Sequence, residues 1–242
     1  DGLYVFSCGI AAKQMADKVN ARIVSNGVKG EVHTYSVTDY AESVINAASG
    51  VYSDKAVNAV KAMLNYGTAA QQYFGYNTDN PANSIMTDDD KNMDMVGFNT
   101  YTGKLVNADS VSGISYYGSS LVLESDTILR NYFELSDGYS IDNYTFYVKD
   151  KDGNKNIIVP QKTDASLYYI DISNVKAYEL ADNVNIYVQK NGDSEDKIMM
   201  LEYGAYVYAR YVDKYLDNTA LKNLMTAMYH YCNAATEYAN IY

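Results

Sequence analysis

Two acidic runs contain the residue types that could bind a cation. The first, Asp150-Lys-Asp-Gly-Asn-Lys-Asn156, alternates oxygen-bearing side chains as calcium-binding loops do. Its twelfth position is Gln161 instead of a bidentate glutamate, and its Asp152-Gly153 pair is typical of a hairpin turn. The second run, Asp88-Asp-Asp90, lies among turn-forming residues. We therefore expect a hairpin turn and a solvated acidic run, with neither a metal nor another cofactor.

Histidine and cysteine are too few and too widely spaced to indicate common catalytic or zinc chemistry. The chain contains His33, His230, Cys8 and Cys232. Neither histidine has a cysteine or a second histidine at metal-ligand spacing, and no Gly-x-Ser-x-Gly motif is present. A pair of glycosidase carboxylates would leave no local motif, so that class stays open. We predict two free, buried thiols and a protein that is not an enzyme.

Tyrosine is the remaining residue type that could form a binding site. The chain has 27 tyrosines, 5 phenylalanines and no tryptophan, and tyrosine joins a flat apolar ring to a hydroxyl that tolerates water. Five tyrosines lie on more than one face of a predicted helix at 203–215, so some must reach solvent or another helix. Packing and partner binding both remain open for them. The candidate binding residues are Tyr116, Tyr117, Tyr203, Tyr206, Tyr208, Tyr211 and Tyr215.

The overall composition favours a folded, acidic protein. An apolar content of 48% in 242 residues is ample for a core, and the net charge is −11. That charge repels phosphate backbones and anionic lipids, so we expect neither nucleic acid nor membrane insertion. We recognise no signal-peptide pattern in these residues, and the start at Asp1 without methionine predicts a piece of a larger multidomain chain.

One eight-residue pattern occurs twice and organises the helical part of the chain. It reads Tyr-x-x-Ala-Ala-x-x-Tyr at residues 66–73 and again at residues 231–238. Apolar residues at alternating spacings of three and four predict an amphipathic helix around each copy, with starts at Asp54 and Thr219. Small residues occupy positions in these patterns where another element could pack closely. These residues are Gly67, Ala70, Cys232 and Ala235.

The repetition extends upstream into predicted strands. Residues 15–27 align with residues 180–192, and both stretches end in Asn-Gly, a pair that favours a tight hairpin turn. Each copy therefore predicts strands, a short helix and then the long helix. The predicted second strands are Glu31–Val37 and Asp196–Leu201, and the predicted short helices are Tyr40–Ala48 and Tyr203–Tyr215.

Additional strands precede only the second copy. Short alternating runs predict an antiparallel β-sandwich of the immunoglobulin type. The first copy starts part-way through this order, so we predict that it lacks its first strands and exposes an unpaired edge. We expect the second module, a symmetry mate or a partner strand to cover that edge. The additional predicted strands are Ser120–Glu124, Thr127–Leu135, Tyr144–Val148 and Lys155–Val159.

The stretch between the two copies has the composition of a linker. Residues 77–92 are rich in turn formers and acids, and they include one of the chain's two prolines. The predicted domains are therefore the C-terminal part of a first repeat at 1–77, a linker at 78–104 and a complete second repeat at 105–242.

Two long motifs resemble a module of large secreted and cell-surface proteins of anaerobic gut bacteria. One motif runs from Met63 to Asn83, and the other is Ser119-Ser-Leu-Val-Leu-Glu-Ser-Asp-Thr-Ile-Leu-Arg-Asn-Tyr-Phe133. The resemblance covers nearly the whole chain. It implies an extracellular location on the bacterial surface and a role in binding or display, and it carries over no catalytic residues.

These observations predict an α+β protein: an antiparallel immunoglobulin-like β-sandwich with a packed C-terminal helical hairpin, preceded by the C-terminal half of a second copy. The leading hypothesis is a non-catalytic binding module for a host protein, such as a glycoprotein or immunoglobulin. Abundant tyrosine and the absence of tryptophan, the strongest ring for stacking on sugars, favour it. The alternatives are a carbohydrate-binding module with tyrosine platforms and a structural spacer.

Overall fold

The computed structural model describes residues 6–98, 111–194 and 198–240. The chain divides into two compact units. Unit 1 combines Asp1–Val96 with Asn218–Tyr242, and unit 2 is Gly97–Asp217. These boundaries differ from the predicted domains. The last helix belongs to unit 1, whereas the sequence placed it in one domain with residues 105–217. The amphipathic pattern of that helix predicts an apolar face but does not identify the element that covers it.

Unit 1 consists of a β-hairpin and four helices in the described part of the chain. The hairpin strands are β1 (Val19–Ser25) and β2 (Val28–Tyr35), and the helices are α1 (Val37–Ile45), α2 (Asp54–Phe74), α3 (Asp88–Lys91) and α5 (Thr219–Ala239). Ser53 and Asn218 cap the two long helices, since their side-chain oxygens accept hydrogen bonds from Ala56 N and Leu221 N. The helices therefore begin at the predicted residues, Asp54 and Thr219, and the capping side chain lies one residue earlier than predicted.

The two long helices of unit 1 pack against each other. Tyr66 and Tyr231, the first tyrosines of the two aligned patterns, stack with ring centroids 5.8 Å apart. Gly67 is also in close contact, because a Cβ added there would lie 2.7 Å from Met15 Sδ and 3.1 Å from Ala82 Cβ. The prediction of close packing is thus confirmed at Gly67.

The segment predicted as a linker is partly packed onto α2. Ala82 and Met86 are buried, and the buried Gln71 side chain holds the segment. Gln71 Oε1 accepts a hydrogen bond from Ala82 N at 2.8 Å, while its Nε2 donates to Asn80 O at 3.0 Å. Turn-forming residues suit this role because they leave backbone groups free to bond with side chains. The linker prediction was therefore wrong for these residues.

Among its described residues, unit 2 contains two antiparallel four-stranded sheets and one α-helix, α4 (Ala205–Tyr215). The sheet orders are β3-β4-β8-β7 and β10-β9-β5-β6. The strands are β3 (Ile114–Leu123), β4 (Thr127–Leu135), β5 (Tyr144–Lys149), β6 (Lys155–Ile158), β7 (Gln161–Lys162), β8 (Tyr168–Ile172), β9 (Val184–Lys190) and β10 (Ile198–Tyr203). The α+β class with antiparallel sheets is therefore confirmed, and the predicted Asp152-Gly153 hairpin joins β5 to β6.

One hydrophobic core draws side chains from both sheets of unit 2. Phe133 from β4 and Phe146 from β5 meet edge-to-face at 5.1 Å, and both are buried. Ile170, Ile186 and Leu201 are fully buried in the same cluster. The alternation of each strand directs every second side chain to this core, which accounts for the strand periodicity of the sequence.

A cross-strand ion pair links β4 to β8. Arg130 Nε and a terminal guanidinium nitrogen each donate to an Asp171 carboxylate oxygen at 2.7 Å, and the Arg130 guanidinium carbon lies 4.1 Å from the Tyr169 ring centroid. The hydrogen bonds to Asp171 raise the pKa of Arg130 further above its ordinary value. This paired guanidinium therefore stays charged at any working pH.

Asp171→Ala is expected to lower the free energy of unfolding of unit 2 by about 1–2 kcal/mol, since it removes a bidentate pair that is partly exposed. Urea denaturation measures this change. Asp164→Ala, at an exposed aspartate of the same unit, is the control and should change stability by less than about 0.5 kcal/mol. Equal effects of the two substitutions would show that the ion pair does not stabilise the sheet.

None of the helices in the described ranges is long and apolar enough to cross a membrane.

Candidate binding surfaces

Two of the tyrosines predicted to bind a partner are core residues. Tyr203 ends β10, Tyr206 lies in the first turn of α4, and both are buried. Burial raises the pKa of the Tyr203 hydroxyl well above its ordinary value. Tyr206 also packs against Phe98, with ring centroids 6.0 Å apart. The site prediction was therefore wrong for these two residues, because residue type alone does not separate a packing tyrosine from an exposed one.

The other predicted tyrosines are more accessible. Tyr116 and Tyr208 are half-buried, and burial raises the pKa of Tyr116, whose hydroxyl is hydrogen-bonded to Ser119 Oγ. Tyr117 is exposed. Tyr211 and Tyr215 are exposed on α4, with ring centroids 5.3 Å apart and an angle of 43° between their planes. Such tilted rings do not form the flat platform expected for stacking on a sugar.

In each acidic run, one aspartate carboxylate accepts hydrogen bonds from other groups of the protein. Asp150 Oδ1 accepts from the backbone N–H groups of Asp152 and Asn154, each at 2.9 Å. These bonds, with one from the Asn154 side chain as the largest cause, lower the pKa of Asp150. In the second run, Asp90 Oδ1 accepts from Lys61 Nζ at 2.7 Å. Among the residues described, no three histidine, cysteine or acidic side chains form a metal-binding group.

The cysteines and histidines lie in unrelated surroundings. Both thiols are free as predicted, and Cys232 is buried, but Cys8 is exposed. The prediction of burial was wrong for Cys8 because that residue lies outside any strand or helix and is open to solvent. His33 is exposed on β2, and a ring nitrogen of His230 lies 2.9 Å from the carbonyl oxygen of Asp94.

The β1–β2 hairpin exposes a cluster of apolar side chains. Every residue of the hairpin strands is exposed except the half-buried Val19. Ile23 and Val28 keep 72% and 73% of their surface in solvent, and Val24 and Val32 are also exposed. Exposed apolar clusters of this kind are typical of protein-interaction sites. Sequence reasoning identified the uncovered strand edge but did not name these side chains.

One part of the hairpin borders a hollow of about 540 Å³. Phe6 contributes to its wall together with Ala21, Ile23 and His33. Within the part of the chain that is described, β1 pairs only with β2. The predicted coverage of this edge is therefore not seen among the residues that the structure describes. The structure instead presents backbone hydrogen-bonding groups beside exposed apolar side chains.

The hairpin differs in charge from the rest of the chain. Residues 19–35 contain two basic residues, Arg22 and Lys29, against one acidic residue, Glu31, whereas the whole chain has a net charge of −11. The hairpin's own residues therefore carry a formal charge of +1, two basic against one acidic, which complements an acidic partner.

No protein-family model, curated protein or solved structure matches this chain.

Proposed function

We propose that this protein is a non-catalytic protein-binding module whose binding surface is the β1–β2 hairpin. The observation that carries the proposal is the almost complete exposure of a hairpin rich in isoleucine and valine. Such an edge invites the addition of a further strand. Tyr211 and Tyr215 are a smaller exposed patch, and their tilt makes them a weaker candidate for a binding site.

The partner is a protein that presents an extended apolar segment flanked by acidic residues. Its backbone would continue the sheet at the free edge of β1, and alternate side chains would contact Ile23 and the adjoining hollow. Acidic flanks would complement Arg22 and Lys29. A polysaccharide offers neither a strand backbone nor apolar side chains, so the hairpin favours a protein over the carbohydrate-binding alternative.

The β9–β10 hairpin of unit 2, which aligns with β1–β2, supports this mode of binding. An Asn-Gly pair also follows β9 in the connection to β10. In this hairpin, however, β5 pairs with the other edge of β9. Ile186 and Val188 of β9 are fully buried, whereas Ala21 and Ile23, which align with them, are exposed. We propose that the two regions are copies of one immunoglobulin-like module and that a partner strand at β1 takes the place of β5.

The family resemblance suggests where the proposed binding would take place and with what kind of partner. It implies a secreted or cell-surface protein of a gut bacterium that takes part in adhesion or host interaction. The partner would then be a host protein, such as a glycoprotein or an immunoglobulin. Nothing in the geometry of the described residues favours a spacer, because a spacer needs no exposed apolar hairpin.

A binding measurement with a matched pair of variants tests the proposal. The full chain is passed over immobilised immunoglobulins and mucin glycoproteins, with plant polysaccharides as the comparison. We expect saturable binding to a protein and at least about a ten-fold loss of affinity in Ile23→Asp, because a buried, unpaired charge is strongly unfavourable at an interface. The control is Ile157→Asp, at a similarly exposed strand isoleucine of unit 2.

The outcomes separate the hypotheses. Equal loss of binding in both variants would place the partner elsewhere and contradict the role of the hairpin. Binding to polysaccharide alone would support the carbohydrate alternative. Absence of binding to both classes would support the spacer. Circular dichroism of each variant confirms that its fold is retained.

A further inference from the structure

A second candidate site lies in unit 1, in a polar cleft formed by α2, α5 and residues 78–95. It comprises two adjoining hollows of about 250 and 460 Å³. The two hollows share Thr68, Gln72, Asn83 and Lys91 in their walls, and Asn223 and Thr226 of α5 line the smaller one. This cleft is separate from the exposed hairpin and is not part of the proposed protein-binding surface.

Internal hydrogen bonds fix the polar wall of the cleft. Asn65 and Asn83 are buried, and Asn83 Nδ2 donates to Asn65 Oδ1 at 2.8 Å. Asn65 Nδ2 donates in turn to the carbonyl oxygen of Asp90 at 2.9 Å, and Asn83 N donates to Thr68 Oγ1 at 2.9 Å. The wall is therefore already ordered before any ligand arrives, which lowers the entropic cost of binding.

The hydroxyl of Thr226 is the observation that points to a ligand. Its side chain is 1% exposed, and its Oγ1 is buried without a hydrogen-bond partner in the described structure. A helical threonine can satisfy its hydroxyl by donating to the carbonyl four residues earlier, as Thr236 does to Cys232 O at 2.9 Å in the same helix. Thr226 is a lining residue of the smaller hollow, and its hydroxyl is unsatisfied, whereas buried polar groups rarely remain so. A rotation of this side chain about its Cα–Cβ bond would turn the hydroxyl toward a ligand in the hollow.

The composition of the cleft defines the kind of ligand that fits. Amide and hydroxyl side chains recognise hydroxyl groups, because they both donate and accept hydrogen bonds. Met93 and Met95 add soft apolar surface, which can contact a C–H face. The described lining residues of the two hollows include no carboxylate, and Lys91 is their single charge. Its Nζ lies 3.6 Å from an oxygen of the fully exposed Asp88, so it remains able to bind an anionic group.

We propose that this cleft binds a polyhydroxylated carboxylate of about one sugar ring, such as a hexuronate. Lys91 pairs with the carboxylate, the amide side chains bind ring hydroxyls, and Thr226 gains its missing hydrogen bond. The smaller hollow, which Thr226 lines, has a volume of about 250 Å³ and lies below the roughly 300–1,000 Å³ of sites for larger ligands, so it suits a single ring.

Calorimetric titration of the full chain tests this proposal with three probes: D-glucuronate, D-glucose and acetate. We expect glucuronate to bind more tightly than either of the other two. Lys91→Gln should weaken glucuronate binding by about ten-fold or more, because it removes a charged hydrogen bond. Thr226→Val, which keeps the side-chain shape without the hydroxyl, should weaken it by about five-fold while leaving the unfolding midpoint unchanged or higher.

Several results would overturn the proposal. These are absence of glucuronate binding, equal binding of glucose, equal binding of acetate, or wild-type affinity in both variants. Lys222→Gln removes a charge from α5, the helix that carries Thr226, without changing a lining residue. This variant should bind glucuronate as the wild type does. Loss of affinity in that control would indicate a general charge effect and would also overturn the proposed site.

Discussion

Phe133→Ala is expected to lower the free energy of unfolding of unit 2 by about 3–5 kcal/mol. Phe133 is fully buried and contacts Phe146 at 5.1 Å and Tyr116 at 6.1 Å between ring centroids. Its removal would leave a cavity where side chains of the two sheets meet, and close-packed interiors relax only partly around such a space. Hydrogen exchange of the amides of β4 and β8, measured by mass spectrometry, reports the loss.

Tyr117→Ala is the control for this substitution. Tyr117 lies on the neighbouring strand β3 and is exposed, so its truncation should change stability by less than about 1 kcal/mol. If Phe133→Ala costs no more than Tyr117→Ala, the aromatic contact between the sheets does not organise the core.

Leu224→Ala should destabilise unit 1 by about 2–5 kcal/mol. Leu224 is fully buried on α5, the helix that packs along α2. The change should therefore appear first as faster hydrogen exchange in residues 54–74. Asn233→Ala, on the exposed side of the same helix, is the control and should leave that exchange nearly unchanged.

This experiment also tests the division of the chain into units. The sequence predicts that α5 belongs with residues 105–217, whereas the structure groups it with residues 1–96. Faster exchange in β9 and β10, with α2 unaffected, would support the sequence-based domains and contradict the packing described here.

Local periodicity predicted much of the secondary structure. β4 was predicted with its observed bounds, and the two long helices begin at the predicted residues, with the capping side chain one residue earlier than predicted. These features depend on residues close in sequence, where the spacing of apolar side chains and the capping residues carry the information. The short helix α1 begins three residues before its prediction, because Ser36 and Asp39 form a capping box ahead of Tyr40.

Long-range contacts were much harder to predict. The apolar stripe of α5 does not reveal that α2 covers it, and the turn-rich composition around Ala82 does not reveal its burial. Tyr203 and Tyr211 have the same side chain, yet one is buried and the other is exposed. The difference depends on which other parts of the fold pack against β10 and α4, and the local spacing of residues does not specify that.

The two candidate sites illustrate the same limit. The incomplete strand order of the first copy predicted an unpaired edge, and the exposed hairpin lies in that copy. The polar cleft was not predicted, because the missing partner of Thr226 becomes visible only when its surroundings are known. No spacing of residues in the sequence marks such a group.

A hydrogen-exchange footprint of the full chain, alone and with any immunoglobulin or mucin that binds it in the screen, would test the central claim most directly. We expect slower exchange in residues 19–35 on binding, because a partner strand at β1 would protect amides that are now exposed to solvent. Protection confined to Gly97–Asp217, with unchanged exchange in the hairpin, would contradict it.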